Sequence, residues 1–194
     1  MNIGVLGGTF DPIHYGHLLL ARQAKEQFHL NKVLFVPTFI PPHKRERPDL
    51  APADDRFAMA RLAVKADPSF EVSRIELDRG DVSYTIDTVR SLRQQYAQDR
   101  LFLIIGADSF KELPTWRKGD EIRRLATLVV APREGLAALK DQGPAVLRIE
   151  MPCCPISSTE IKIRLRSGES LGAMLPPEVE QYIRQKRLYA AEVL

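Results

Sequence analysis

A chain of 194 residues, 44% hydrophobic and 27% charged, has the length and composition of one globular domain and excludes a disordered or fibrous polymer. Its 28 Lys and Arg against 25 Asp and Glu leave a net charge of +3 with the signs interspersed, whereas a nucleic-acid binder concentrates a basic stripe. The adjacent Cys153 and Cys154 offer neither a useful loop closure nor a metal-ligand spacing, and no apolar run approaches the ~18 residues of a membrane span, so a reducing, cytoplasmic setting without nucleic-acid or membrane partners is expected.

The first apolar run, 2–6, reads as a strand, too short and too uncharged for a signal peptide. It delivers the chain into Gly7-Gly8-Thr9-Phe10-Asp11-Pro12-Ile13-His14-Tyr15-Gly16-His17. Two glycines at a strand end let backbone come close to a ligand and expose N–H groups. His14 and His17 stand three apart at the start of a predicted helix, 15–28, and project the same way near its positive end. Imidazoles and free N–H groups together suit a polyphosphate. A tight turn with two capping histidines is the plainer alternative, but strand, turn and helix context here agree with the anion site.

A second strand is predicted over 32–36, followed by a proline-rich stretch, 37–52, that reads as a long mobile loop. Within it Pro41-Pro42-His43-Lys44 offers Lys44 to phosphate as a point charge, although a solvated basic loop would look alike. A helix over 54–66 and a strand over 70–75 come next. Ser83-Tyr84-Thr85-Ile86-Asp87-Thr88 opens a helix, 85–96, whose core face is Ile86, Val89, Leu92 and Tyr96. Thr85 there is either a plain N-cap or part of a group of N–H donors suited to a carboxylate.

The run 101–105 has no polar alternation, which predicts burial on both faces and parallel pairing. Gly106-Ala107-Asp108-Ser109-Phe110 follows it and places Asp108 where a carboxylate can bind ribose hydroxyls, unless it only caps a helix. Trp116 is the lone tryptophan; indole stacks well on an electron-poor pyridinium, though a lone Trp is also common as core or rim. A helix over 120–125 and strands over 127–131 and 146–151 complete the alternation. Pro155-Ile156-Ser157-Ser158-Thr159-Glu160-Ile161 then opens a helix, 158–166, with Ser157 and Glu160 spaced as a capping box before Ile161 and Leu165. Hydroxyls and N–H groups at that helix start would serve an anion as well as a cap. A last helix is predicted over 177–186.

Strands alternating with helices predict an α/β, Rossmann-like, doubly wound parallel sheet with helices on both faces. One domain over 1–190 is expected, with the C-terminal helices of 157–190 packed on it and 191–194 frayed. Ligands of such a sheet sit beyond the carboxyl ends of its strands, and the residues singled out above follow strands. The dinucleotide fingerprint Gly-x-Gly-x-x-Gly is absent, which argues against a dehydrogenase.

The segment from Gly7 to His17, with its His-x-Gly-His core, resembles the signature of the nucleotidyltransferase superfamily. Ile156, Ser157, Ser158 and Thr159 resemble that superfamily's second phosphate motif. Pro-Pro-His-Lys, Ser-Tyr-Thr-Ile-Asp-Thr, Gly-Ala-Asp-Ser and Pro-Thr-Trp, in that order, resemble the bacterial nicotinate-nucleotide adenylyltransferase family over nearly the whole chain. The resemblance implies transfer of the adenylyl group of ATP to nicotinate mononucleotide, with His14, His17 and Lys44 in the chemistry. It implies ATP contacts from Gly7, Gly8, Thr9, Phe10, Gly106, Asp108 and the 156–159 segment, and an Arg133 near the ATP. Tyr84, Thr85 and Trp116 would receive the nicotinate ring and its carboxylate. Lys162 would also meet the ATP, but it stands where that family commonly has Arg; it keeps the charge but loses the bidentate fork. Mg²⁺ is expected to accompany ATP with mostly water ligands and no protein cage. The alternatives are a phosphopantetheine adenylyltransferase, which shares the two phosphate motifs but not the Ser-Tyr-Thr or Pro-Thr-Trp segments, and a non-catalytic ATP-binding module. Homo-oligomer formation is left open.

Overall fold

A computed structural model describes residues 1–42, 49–131, 146–152 and 154–190. In chain order the elements are β1 (Asn2–Gly8), α1 (Tyr15–Gln27), β2 (Lys32–Pro37), α2 (Ala53–Val64), β3 (Phe70–Val72), α3 (Ile75–Arg79), α4 (Thr85–Gln95), β4 (Arg100–Gly106), α5 (Ala107–Glu112), a 3-10 turn (Leu113–Thr115), α6 (Gly119–Leu125), β5 (Thr127–Ala131), β6 (Val146–Arg148), α7 (Ser158–Ser167) and α8 (Pro177–Lys186).

The six strands form one parallel sheet in the order β3-β2-β1-β4-β5-β6. The chain winds outward from β1 to β3, then returns to lay β4 against the free side of β1. Leu6 lies in register with Phe35 on one side and Ile104 on the other. Winding direction therefore reverses between β1 and β4, and a crevice opens beyond their carboxyl ends.

Apolar residues fill both faces of the sheet, as the unbroken hydrophobic runs require. In β4, Phe102 and Ile104 join a core with Ala21 and Ala24 of α1, Met59 of α2, Ile161 of α7 and Ile183 of α8. Leu101, Leu103 and Ile105 point to the opposite core, with Ile86, Val89 and Leu92 of α4 and Ile122 of α6. The period of two is present, although both sets are apolar.

Two helices were not expected from the sequence. The strand expected over 70–75 ends at Val72, and α3 begins at Ile75. Its five residues are too few for a periodic signal, and Gly80 closes it at φ 67°. The second is α5, six residues long, which follows β4 without a break. The strand expected over 146–151 is likewise shorter, Val146–Arg148. Within the stretch expected to be a mobile loop, residues 43–48 lie outside the described part. The ends that are described are tied down by Arg56, which is 1% exposed. Its guanidinium donates to the carbonyls of Ala51 (2.9 Å), Thr9 (2.8 Å), Thr38 (2.6 Å) and Phe39 (3.0 Å).

Candidate active site

A cavity of about 480 Å³ opens at the carboxyl edge of the sheet. Gly7, Gly8 and Thr9 after β1, His17 of α1, Tyr84 and Thr85 at the start of α4, Gly106 after β4, and Trp116 all line it. Residues spread over more than a hundred positions of sequence thus meet around one space, as their places after strands required. Side chains built on Gly7 or Gly106 would meet no protein atom within 4 Å, so both glycines border open room that a ligand can fill.

The histidines are stacked with centroids 3.8 Å apart, and Phe10 meets His17 edge-on at 5.1 Å. His14 is the N-cap of α1, and its N–H donates to Nδ1 of His17 at 3.3 Å. Burial lowers the pKa of His14 to about 4. Burial, and then the neighbouring ring of His14, push His17 well below the usual imidazole range. Both rings are neutral near pH 7. Nδ1 of His14 is buried with no protein partner.

Phe10 is only 2% exposed, so its side chain is core, and any contact with a nucleotide would come through its backbone. The Ser-Thr segment lies beside the signature turn: the Ser158 hydroxyl donates to the Pro12 carbonyl at 3.0 Å. Ser157 is the N-cap of α7, accepting from Glu160 N at 3.1 Å, which is one half of the expected capping box; the Glu160 carboxylate accepts from Arg164 at 2.7 Å instead of reaching back. Thr159 lies in the first turn of α7 and is exposed, and Ile156 packs against the core. Asp108 is exposed in the first turn of α5, with Gly106 as N-cap.

Lys162 departs from expectation. Its side chain is 8% exposed and its ammonium turns inward, to Asp11 and to the Asp49 carboxylate, rather than toward solvent or a phosphate. A buried ammonium must be paired, and these carboxylates supply the pairing. Lys44 and Arg133 lie outside the described residues.

On the other flank, Tyr84 is the N-cap of α4 and Thr85 its first residue, and both line the cavity; the Asp87 N–H is taken by the Tyr84 carbonyl at 3.0 Å. The Arg117 guanidinium lies 4.9 Å over the Tyr84 ring and 3.3 Å from an Asp87 oxygen. The sequence reading missed the residues underneath. Glu76, 4% exposed, accepts from the Thr88 hydroxyl at 2.5 Å, and its second oxygen is buried without a partner. Burial raises its pKa, partly offset by the neighbouring Ser83 and Thr88 hydroxyls. Glu76 falls where a strand was expected to have just ended, so nothing in its neighbourhood marked it.

Comparison with known proteins agrees with this geometry. Residues 5–164 match the family model described as cytidylyltransferase-like, and the chain belongs to that class of nucleotidyltransferase. A Thermus thermophilus protein named "Probable nicotinate-nucleotide adenylyltransferase" is 47% identical over 189 residues, covering 97% of this chain and all of its own length. A protein of the same name from Corynebacterium kroppenstedtii is 41% identical, covering 96% of this chain and 90% of its own. Within the class, this chain is therefore a member of the nicotinate-nucleotide adenylyltransferase family. The fold agrees with Plasmodium falciparum nicotinic acid mononucleotide adenylyltransferase complexed with NaAD, at TM-score 0.82 and 18% identity over 97% of both chains. The same Plasmodium enzyme complexed with APC gives TM-score 0.79, at 17% identity over 97% of this chain and 96% of that one.

Proposed function

We infer that the chain transfers the adenylyl group of ATP to nicotinate mononucleotide, giving nicotinic acid adenine dinucleotide and pyrophosphate. The observation that carries this reading is the meeting of the Gly7–His17 turn with the start of α7, through Ser158 and Pro12, beside a cavity bordered by Trp116 and the first turn of α4. A triphosphate fits the first of these regions, an aromatic carboxylate the second.

An oxygen of the acceptor's phosphate attacks the α-phosphorus of ATP in line, the new P–O bond forms, and the bond from the α-phosphorus to the bridging oxygen breaks with pyrophosphate as leaving group. Such a displacement is accelerated by positioning and by donors aimed at the charge that develops. His14 and His17 are read as those donors, with main-chain N–H groups of 7–9 and the start of α7 around the phosphates. Tyr84, Thr85 and Trp116 are read as the acceptor's seat, the N–H groups of α4 taking the carboxylate. Lys44 and Arg133 are read as further phosphate cations, and Asp108 as a ribose ligand.

Among the described residues no group of three His, Cys, Asp or Glu side chains is arranged to hold a metal ion. Mg²⁺ is read as entering with ATP, as part of the nucleotide substrate. No helix among the described residues is long and apolar enough to cross a membrane; the enzyme is read as cytoplasmic and supplied with small-molecule substrates.

The test is pyrophosphate release with ATP, Mg²⁺ and nicotinate mononucleotide, nicotinamide mononucleotide or phosphopantetheine. The nicotinate form is expected to be fastest. A fastest rate with phosphopantetheine overturns the reading, and binding of ATP without release under any acceptor would leave a binding module.

A further inference from the structure

Asp11 lies inside the signature turn, between the two glycines and the histidines, and is 7% exposed. Both of its oxygens are engaged. Oδ1 accepts from Ala51 N at 3.1 Å and from the Tyr189 hydroxyl at 2.7 Å, and Oδ2 is bound by the Lys162 ammonium. Nζ of Lys162 continues to the Asp49 carbonyl at 2.9 Å and lies 4.8 Å over the Tyr189 ring. One carboxylate thus joins the histidine turn to residues 49–51, to α7, and to the segment that follows α8.

Tyr189 reaches this place at a conformational cost. Its φ is 63°, and Arg187 two residues earlier has φ 52°. A bulky side chain in left-handed backbone is strained and persists only where its surroundings over-determine it. The surroundings here are the phenol–carboxylate bond and the ammonium over the ring. Burial beside Asp11 pushes the phenol pKa up, so the hydroxyl stays protonated and donating. A buried ion pair is a poor route to stability, since apolar packing of the same volume does as well. Directed bonds instead fix register: they set where the turn 9–14 sits relative to the start of α7.

We propose that Tyr189 and Lys162 are positioning residues of the ATP half of the site, acting through Asp11 to hold the histidine turn against the N-terminus of α7. This rests on the adenylyl-transfer reading above. Asp11 has no free oxygen for a metal ion or a proton transfer, and Lys162 acts from inside the protein rather than as a phosphate ligand.

Tyr189→Phe keeps the ring and removes only the hydroxyl. Its KM for ATP is expected to rise about tenfold while KM for nicotinate mononucleotide changes less than twofold, measured well below the melting temperature. A variant that melts earlier with both KM values unchanged would reduce Tyr189 to a stability role and overturn the proposal. Lys162→Met is then combined with Tyr189→Phe. Because both act through one carboxylate, the joint rise in KM for ATP is expected to fall well short of the product of the single effects. A full product would mean that Lys162 meets phosphate independently of Asp11, which overturns its assignment. Should Lys162→Met not fold, Lys162→Arg enters the same cycle. Calorimetric binding of a non-hydrolysable ATP analogue runs in parallel, so that a wild-type protein inactive on nicotinate mononucleotide would sink the functional reading while the cycle stays readable.

Discussion

His14 and His17 are neutral near pH 7 because burial keeps water from them, and this ties stability to pH with a definite sign. The unfolded chain takes up protons on these rings near pH 6.5, whereas folded His14 does so only near pH 4. Between those values the unfolded state holds more protons, so stability is fully present above pH 6.5 and is lost as pH falls toward 4. The depression of His14 corresponds to on the order of 3 kcal/mol. Urea midpoints measured from pH 7 to pH 4.5 are expected to fall for the wild type and to flatten for His14→Asn; equal slopes would contradict the buried, neutral ring. In activity, His14→Ala and His17→Ala are each expected to lower kcat by about 10²–10³-fold, with far-UV circular dichroism unchanged. Near-normal turnover in either would remove that ring from the chemistry.

Among elements, α2 owes its placement to a side chain that its pattern of polar and apolar residues does not advertise. Arg56 is buried on the face of α2 that it shares with Ala60 and Val64, and its fork satisfies carbonyls on both sides of the 37–52 stretch. Lysine cannot reproduce those directions. Arg56→Lys is therefore expected to destabilise by about 3 kcal/mol, since each orphaned buried carbonyl costs about 1–3 kcal/mol; a urea midpoint within error of wild type would show the carbonyls find other donors. The same helix shows what sequence can and cannot convey. Runs such as 101–105 and the Ser157–Glu160 cap depend on local spacing, so strand, helix and motif positions could be read directly. Asp11 was visible as part of a motif, but its partners Ala51, Lys162 and Tyr189 lie up to 178 residues away, and only the fold brings them there. Lys162 was misdirected for that reason: the charge was legible, its burial was not. The helices α3 and α5 were missed because one or two turns carry no period.

At the scale of the molecule, α7 and α8 are not an appendage. Ile161, Val179 and Ile183 share a core with Leu6, Phe35 and Ile104 of the central strands. Residues 1–190 are thus expected to melt in one transition, with calorimetric and van't Hoff enthalpies equal. Truncation after 175, which removes Val179 and Ile183, is expected to abolish that transition; two separable melts in the intact chain would instead divide it. The stacked imidazoles also reach beyond their own corner. An arriving triphosphate brings several negative charges to two rings that the protein holds neutral, which favours proton uptake onto them from the buffer. Nucleotide capture near neutrality should consequently show a heat that varies with the ionisation enthalpy of the buffer chosen, and identical heats in phosphate and Tris would mean the rings receive the nucleotide without changing charge.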